Sequence, residues 1–163
     1  MAKIIVGVGE WAVSGNAEDE IKTFALGSCV ALILLDPKTR VVGFAHFALP
    51  EAKIDEKKAK ELPTYFVDSG VPFLFSKMSA AGSIPHKGYI VKLIGGANVM
   101  TSGSLDRFEI GKRNATAIKK MLWDMALPVT AEDVGKNFSR TVTVFLSNGK
   151  ITVSSADGRE WSV

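Results

Sequence analysis

Runs of apolar residues alternate along the chain with short polar turns, and most of these runs have the length of a strand. The clearest is the unbroken stretch Cys29 to Leu35, which is typical of a strand buried on both faces. Asp36-Pro37-Lys38-Thr39 then predicts a tight turn, with Asp at its first position and Pro at its second. Arg40 to Leu49 predicts the returning strand. Further strands are predicted at 3–8, 21–24, 89–94, 140–146 and 150–154, the last two joined by the hairpin signal Asn148-Gly149.

Two longer segments carry apolar residues at helical spacing. The first runs from Pro63 to about Met78 and has a proline suited to a first helical turn, although Gly70 and Pro72 are unfavourable inside it. The second runs from about Lys112 to Met125. Strands outnumber helices in a mixed order. We therefore predict an α/β fold, one domain over residues 1–163, with mostly antiparallel sheets or a sandwich and two principal helices packed on it.

Composition and charge narrow the classes of function. Hydrophobic residues make up 47% of the chain and charged residues 23%, which are ordinary values for a globular protein. The net charge of +3 is mild and the basic residues are not clustered, so nucleic-acid binding is not expected. The longest apolar run is far shorter than the roughly 20 residues that span a bilayer, and no secretory signal is evident. We expect a cytoplasmic protein without membrane insertion.

The chain has one cysteine and two histidines, so neither an internal disulfide nor a Cys/His zinc site is expected. If Leu35 pairs with Arg40 across the turn, Cys29 lies directly opposite His46 in an antiparallel ladder. Directly opposed residues share a face of the sheet, with Cβ atoms about 4.5–5.5 Å apart. A slip of one residue would send the two side chains to opposite faces. The turn therefore predicts a thiol beside an imidazole.

Such a pair suits nucleophilic catalysis, because an imidazole favours ionisation of the thiol and can protonate a leaving amine. Gly27 and Ser28 precede Cys29, and the amide N–H groups there, including that of Cys29, are candidates for an oxyanion hole. Thr23 is a candidate for the group that fixes the tautomer of His46. The same residues also fit ordinary roles, as a glycine-serine turn, a small buried hydrophobe, a strand threonine and a core histidine. Residue chemistry alone leaves both interpretations open.

The sequence at these positions resembles the CheD family of bacterial chemoreceptor glutamine deamidases. The family pattern is a threonine, then Leu-Gly-Ser-Cys-Val, a hydrophobic strand and a turn, then Gly-x-Ala-His followed by Leu-Pro. Here the pattern stands, with the family spacing, as Thr23, Leu26-Gly27-Ser28-Cys29-Val30, Gly43-Phe44-Ala45-His46 and Leu49-Pro50. The likeness extends from about Lys3 to Val153, through further segments at 7–13, 65–68, 95–98, 110–114 and 131–135.

The resemblance implies hydrolysis of the side-chain amide of particular receptor glutamines to glutamate, and also hydrolysis of glutamate methyl esters. It implies Cys29 as the nucleophile, His46 as the general acid/base and Thr23 as the residue that orients the histidine, with no metal or organic cofactor. It also implies a three-layered α/β sandwich. The implied partners are the cytoplasmic helices of chemoreceptors and a CheC-type phosphatase.

Two other functions stay open. One is a non-catalytic binding module that regulates a CheC-type phosphatase or the receptor array. The other is a cysteine amidase or peptidase that acts on a different substrate. Activity on receptor fragments, and its dependence on Cys29, would separate the three.

Four further positions carry simpler expectations. His86 is predicted to be a loop histidine without partners. Gly95-Gly96, after a strand, is expected to permit a tight turn or close packing. Arg113-Asn114, near a helix start, is expected to provide capping and surface hydrogen bonds. Lys136 stands where the CheD family tends to have a glycine, so the backbone is expected to differ there.

Overall fold

Three layers make up the structure, a computed structural model that describes residues 2–101, 104–105 and 109–163. Two five-stranded sheets face each other, and the helices pack on the outer face of the second sheet. The strands are β1 (Lys3–Ile5), β2 (Trp11–Ser14), β3 (Glu20–Leu26), β4 (Val30–Leu35), β5 (Val42–Phe47), β6 (Ile90–Gly95), β7 (Met100–Thr101), β8 (Ser104–Leu105), β9 (Ala131–Val134), β10 (Arg140–Phe145), β11 (Lys150–Ser154) and β12 (Glu160–Ser162). The helices of the described residues are α1 (Glu56–Glu61), α2 (Val67–Ala80) and α3 (Ile110–Asp124), with 3-10 turns at Ala52–Ile54 and Pro63–Tyr65.

The first sheet has the strand order β1-β3-β10-β11-β12 and the second has the order β2-β5-β4-β6-β9. Pairing is antiparallel within both sheets except for β1 with β3 and β6 with β9, which are parallel. The long helices α2 and α3 are the two principal helices. The predicted α/β class, with mostly antiparallel sheets in a sandwich, is confirmed.

Strand β4 lies at the centre of the second sheet, and all six of its residues are buried. Its side chains alternate between two apolar cores, as a pleated strand requires. Leu32 and Leu34 pack towards the helices, whereas Ala31 and Ile33 pack towards the first sheet. The prediction of a strand buried on both faces is confirmed from Val30 onward.

Helix α2 begins at Val67, four residues later than predicted, because Pro63–Tyr65 form a separate 3-10 turn. Gly70 does not interrupt the helix, since it lies where the helix approaches β5 too closely for a side chain. A Cβ atom at Gly70 would lie 2.4 Å from the ring of Phe47 and 2.7 Å from the Cα atom of Thr64. This glycine serves close packing rather than a break in the helix.

The turn between β4 and β5 is displaced by one residue from the predicted turn. Leu35 pairs with Val42, so the predicted pairing of Leu35 with Arg40 is wrong. The Asp36 N–H donates to the Val41 carbonyl (3.0 Å), and the Arg40 N–H donates to the Asp36 carbonyl (2.8 Å). Arg40 has a φ of +67°, a conformation that is uncommon for residues other than glycine. The ladder therefore includes Asp36, and the loop comprises residues 37–40.

Within the described residues, no helix combines the length and the apolar character needed to cross a membrane.

Candidate active site

A hydrogen bond between Thr23 and His46 joins the two sheets. Thr23 lies on β3 and His46 on β5, and both side chains are buried. Thr23 Oγ1 lies 2.7 Å from His46 Nδ1 and donates to the carbonyl of Val6 at 2.6 Å. A hydroxyl group has one proton, so this oxygen must accept from Nδ1–H of the imidazole. Thr23 thus fixes the tautomer in which Nε2 of the neutral ring carries the lone pair.

The Nε2 atom of His46 is buried and has no hydrogen-bond partner among the described residues. Burial lowers the pKa of His46 to about 4, because the charged ring would lose its hydration. The imidazole is therefore neutral near pH 7. It can accept a proton at Nε2 while Nδ1–H stays bound to Thr23.

The loop before β2 holds the backbone of His46 on both sides. The Gly9 N–H donates to the His46 carbonyl (2.9 Å), and the His46 N–H donates to the Glu10 carbonyl (3.1 Å). The buried hydroxyl of Thr64 in turn donates to the Gly9 carbonyl at 2.6 Å. Gly9 has a φ of +77°, which suits a residue without a side chain. These contacts leave the ring little freedom to move along the strand.

Cys29 immediately precedes β4, is half-buried and packs against the apolar cluster between the two sheets. Burial raises the pKa of the Cys29 thiol to about 11. The thiol is therefore protonated near neutral pH, beside a histidine that is also neutral.

The predicted direct opposition of Cys29 and His46 is wrong, because the displaced turn changes the register. Ala31 is the residue opposite His46. Continuing this register one residue beyond the start of β4 places Cys29 diagonal to His46, and diagonal neighbours in a sheet typically lie roughly 7–8 Å apart. Moving the turn by one residue shifts the pairing by two, from Leu35 with Arg40 to Leu35 with Val42, so the parity of the strand is kept and both side chains still face the first sheet. No hydrogen bond joins the two side chains in this structure.

A β-bulge bends the first sheet beside Thr23. Thr23 pairs with Val142 on β10, but Leu26 pairs with Arg140, so β3 contains one extra residue there. Ala25 occupies the bulge with a φ of +51°, and its N–H donates to Thr141 Oγ1 at 3.2 Å. Bulges turn a strand and re-aim its side chains. This one leads the chain into the bend at Gly27 and Ser28, next to Cys29.

Two backbone hydrogen bonds attach this bend to the end of β6. The Gly96 N–H donates to the Cys29 carbonyl and the Ala97 N–H donates to the Gly27 carbonyl, both at 2.8 Å. A Cβ atom at Gly95 would lie 2.4 Å from the Cys29 carbonyl oxygen. The predicted close packing at Gly95-Gly96 is confirmed, and its purpose is to hold the cysteine segment.

Asn114 is the residue of the site that the sequence did not reveal. Its predicted role in capping and surface hydrogen bonds is wrong, since the side chain is fully buried beneath α3. Its Nδ2 atom donates to the carbonyls of Ser28 (3.0 Å) and Ala48 (2.9 Å). Nothing in the local sequence signals these contacts, because they join positions 86 and 66 residues apart.

The other histidine lies outside this site. His86 was predicted to have no partner, which is wrong, because its Nε2 atom lies 2.6 Å from Asp36 Oδ1. Burial alone would raise the pKa of Asp36, but hydrogen bonds from Thr39, His86, Ser83 and the Lys38 N–H outweigh it and leave the pKa well below its usual range. Asp36 is held at the end of the β4–β5 ladder by its hydrogen bond to Val41, and its carboxylate meets His86 there.

Across the described residues, no group of three or more histidine, cysteine, aspartate or glutamate side chains is arranged to hold a metal ion.

Comparison with known proteins identifies the family. A family model described as CheD chemotactic sensory transduction matches residues 48–155. A protein of Syntrophotalea carbinolica named probable chemoreceptor glutamine deamidase CheD is 43% identical over 164 residues, covering 100% of both chains. The chain belongs to the CheD family.

Other CheD relatives align over nearly their whole length. The probable chemoreceptor glutamine deamidase CheD 2 of Anaeromyxobacter dehalogenans is 40% identical over 157 residues, covering 96% of this chain and 97% of the relative. The corresponding CheD 1 of Syntrophus aciditrophicus is 38% identical over 158 residues, covering 97% of each. The family-model match begins after His46, whereas the alignment with the Syntrophotalea protein spans the entire chain and so includes Thr23 and Cys29.

One departure from the CheD pattern leaves the backbone glycine-like. Lys136 has a φ of +61°, the left-handed conformation that glycine adopts without strain. Its carbonyl accepts the Asn98 N–H at 2.8 Å, and the neighbouring Gly135 carbonyl accepts from the buried guanidinium of Arg140 at 3.0 Å. These contacts fix the backbone of the loop at Gly135 and Lys136.

Proposed function

We propose that this CheD-family protein hydrolyses the side-chain amide of glutamines in chemoreceptors, with Cys29 as the nucleophile and His46 as the general acid/base. The names of its full-length relatives describe this activity. The observation that carries the proposal is the hydrogen bond from His46 Nδ1–H to Thr23. It leaves a buried Nε2 lone pair on the face that Cys29 also occupies.

Proton transfer during attack fits the site better than a preformed thiolate–imidazolium pair. Burial raises the pKa of Cys29 and lowers that of His46, so both charged forms are disfavoured in the resting protein. In the proposed step, His46 Nε2 takes the thiol proton as the sulfur attacks the carboxamide carbon. Thr23 continues to accept from Nδ1–H and so stabilises the imidazolium as it forms.

The tetrahedral intermediate then releases ammonia. The carbon–nitrogen bond breaks as His46 Nε2 returns its proton to the leaving nitrogen, and a thioester of Cys29 remains. His46 Nε2 then deprotonates a water molecule, which hydrolyses the thioester to glutamate and the free thiol. The backbone N–H groups of the bend formed by Gly27, Ser28 and Cys29 are the proposed donors to the oxyanion. No step requires a metal or an organic cofactor.

Glutamate methyl esters are proposed as second substrates, because the same acyl carbon is attacked and methanol leaves in place of ammonia. The cytoplasmic helices of chemoreceptors are the proposed protein substrate, and a CheC-type phosphatase is a proposed partner. Both follow from the family resemblance and imply action in the cytoplasm.

Mass spectrometry of receptor fragments tests the proposal. Fragments incubated with the wild-type protein should gain the small mass difference between glutamine and glutamate, and ammonia should appear in step with it. Cys29→Ala should remove both signals while the thermal unfolding curve stays close to that of the wild type. Retained deamidation by Cys29→Ala would overturn the mechanism. Receptor binding without deamidation would support a regulatory module instead, and turnover of unrelated small amides alone would point to another substrate.

A further inference from the structure

Helix α3 reaches the proposed nucleophile through one buried side chain. Asn114 donates one N–H of its amide group to the Ser28 carbonyl (3.0 Å) and the other to the Ala48 carbonyl (2.9 Å). In the reversed orientation of the amide, Oδ1 would face two carbonyl oxygens, so these contacts identify the atom that faces them as Nδ2. The Asn114 side chain is fully buried and its bond to Ala48 is enclosed, whereas its bond to Ser28 reaches a half-buried residue.

The contact with Ser28 determines where the Cys29 N–H points. Ser28 C=O and Cys29 N–H belong to one planar trans peptide unit, in which the two groups point in opposite directions. When Asn114 holds the carbonyl towards α3, the N–H is turned away from the helix layer. On the other side of Cys29, the Gly96 N–H holds the Cys29 carbonyl at 2.8 Å. Both peptide units that flank the nucleophile are therefore fixed.

The start of α3 also packs directly on the turn that supplies this second contact. A Cβ atom at Gly111 would lie 2.4 Å from the carbonyl carbon and oxygen of Gly96. One helical turn separates Gly111 from Asn114, so a single rigid element supports both ends of the Cys29 segment. The second bond of Asn114, to Ala48, attaches the same group to the chain just after His46.

We propose that Asn114 is a positioning residue, which aims the backbone N–H of Cys29 at the oxyanion formed during amide hydrolysis. This inference rests on the function proposed above and adds a residue from the helical layer to its machinery. Loss of the hydrogen bond from Asn114 to the Ser28 carbonyl would free the peptide unit of Ser28 and Cys29 to rotate. The donor would then be misplaced in the transition state, while the thiol itself would remain present.

Two reactions of the same sulfur separate this role from general loss of structure. Deamidation develops an oxyanion, whereas alkylation by iodoacetamide forms a sulfur–carbon bond and releases iodide without one. Asn114→Leu should lower kcat about 100-fold, the cost of a misplaced catalytic group. It should leave KM and the alkylation rate of Cys29 within about threefold. Ser83→Ala, which removes a buried hydroxyl beside Asp36 at the far end of β4, is the matched control and should change none of these rates.

Asn114→Asp supplies a second variant of nearly the same shape. Its carboxylate would face two carbonyl oxygens, but the protonated acid regains one donor. Its kcat should therefore rise towards the wild-type value as the pH is lowered, relative to the wild type measured at the same pH. Both variants should still melt cooperatively, and Asn114→Asp should be the less stable of the two at neutral pH because its buried carboxylate faces two carbonyl oxygens.

A measurement without substrate makes the inference independent of the activity assay. In the wild type, ¹⁵N relaxation should show the Cys29 amide to be as rigid as those of β4. Asn114→Leu should make it mobile, and Ser83→Ala should not. Equal losses of kcat and alkylation rate, or an unchanged Cys29 amide, would overturn the inference. An inactive wild type with the expected relaxation change would instead contradict only the proposed function.

Discussion

The two histidines of the chain lie near opposite ends of the β4–β5 strand pair and are held in opposite ways. His46 is buried, contacts a neutral threonine and keeps one ring nitrogen without a partner among the described residues. His86 is about a third exposed, its Nε2 meets the carboxylate of Asp36, and its Nδ1 accepts the Gly88 N–H at 3.0 Å. Both nitrogens of His86 are thus occupied.

This difference separates a structural histidine from one suited to proton transfer. An aspartate partner alone does not identify a reactive histidine, because Asp36 here fastens the β4–β5 turn to the loop after α2. Thr23 supplies orientation to His46 without adding a charge, and burial then keeps the ring neutral. An uncharged histidine of this kind suits transfer of a proton better than a permanent ion pair.

The largest expected effect comes from exchanging each histidine for glutamine, whose amide does not titrate. His46→Gln should lower kcat for deamidation by about 10²–10⁴-fold, the usual contribution of a general acid/base. His86→Gln should leave kcat within about twofold of the wild type, because His86 lies at the far end of the strand pair. Ammonia release from a receptor fragment measures both. Similar losses for the two variants would remove the distinction between the histidines.

Burial of the neutral pair should also limit stability at both extremes of pH. The folded pKa of His46 is about 4 against 6.5 for a free histidine, so the unfolded chain binds a proton that the folded chain does not between these values. Stability should therefore fall as the pH is lowered from 6.5 to 4, by about 3 kcal/mol for this group. The folded pKa of Cys29 is about 11 against 9.0, so stability should also fall as the pH rises from 9 to 11.

Urea unfolding across this pH range gives the measurement. His46→Gln should flatten the slope between pH 6.5 and 4 and leave the alkaline slope in place, whereas Cys29→Ala should do the reverse. In both variants the free energy of unfolding should continue to fall below pH 4, because the pKa of Asp36 is held below its usual range. A wild type whose stability is flat from pH 7 to pH 4 would contradict the burial of a neutral His46.

Asp36→Asn should reduce stability by about 2 kcal/mol without reducing deamidase activity. The amide has the same shape, but its nitrogen would face a donor where the carboxylate accepts from Thr39, Ser83 and His86. Asp157→Asn, at an exposed turn, is the matched control and should have little effect on unfolding. If Asp36→Asn lowered kcat as much as His46→Gln, the two ends of β4 would be coupled, contrary to this expectation.

The sequence predicted the parts of the fold whose signals are local. The apolar run that forms β4 and the Asn148-Gly149 hairpin are both present, because each pattern lies within a dozen residues. Strands β2, β9 and β12 were not predicted; each is only three or four residues long, lies at the edge of its sheet and lacks a fully apolar run.

Cys29, His46 and Thr23 were predictable as candidates, but their geometry was not. The turn after β4 and the family pattern both pointed to these residues, whereas their register was misjudged because a left-handed Arg40 has no sequence signal. The proton on His46 depends on the backbone carbonyl of Val6, which any residue could supply. Contacts between distant segments, such as those of Asn114, arise only when the three layers assemble.

The smallest expected effect concerns the lysine in the glycine-like loop. Lys136 is exposed and holds a φ of +61°, so its side chain adds strain to a conformation that glycine adopts freely. Lys136→Gly should therefore raise the free energy of unfolding by about 0.5–1 kcal/mol, the relief of strain exceeding the added flexibility of the unfolded chain. Lys38→Gly makes the same chemical change at an exposed turn residue without a positive φ, and should be neutral or destabilising. Urea unfolding of the two variants compares them directly. Equal effects would show that the loop at Lys136, held by Asn98 and Arg140, bears no strain that a glycine could relieve.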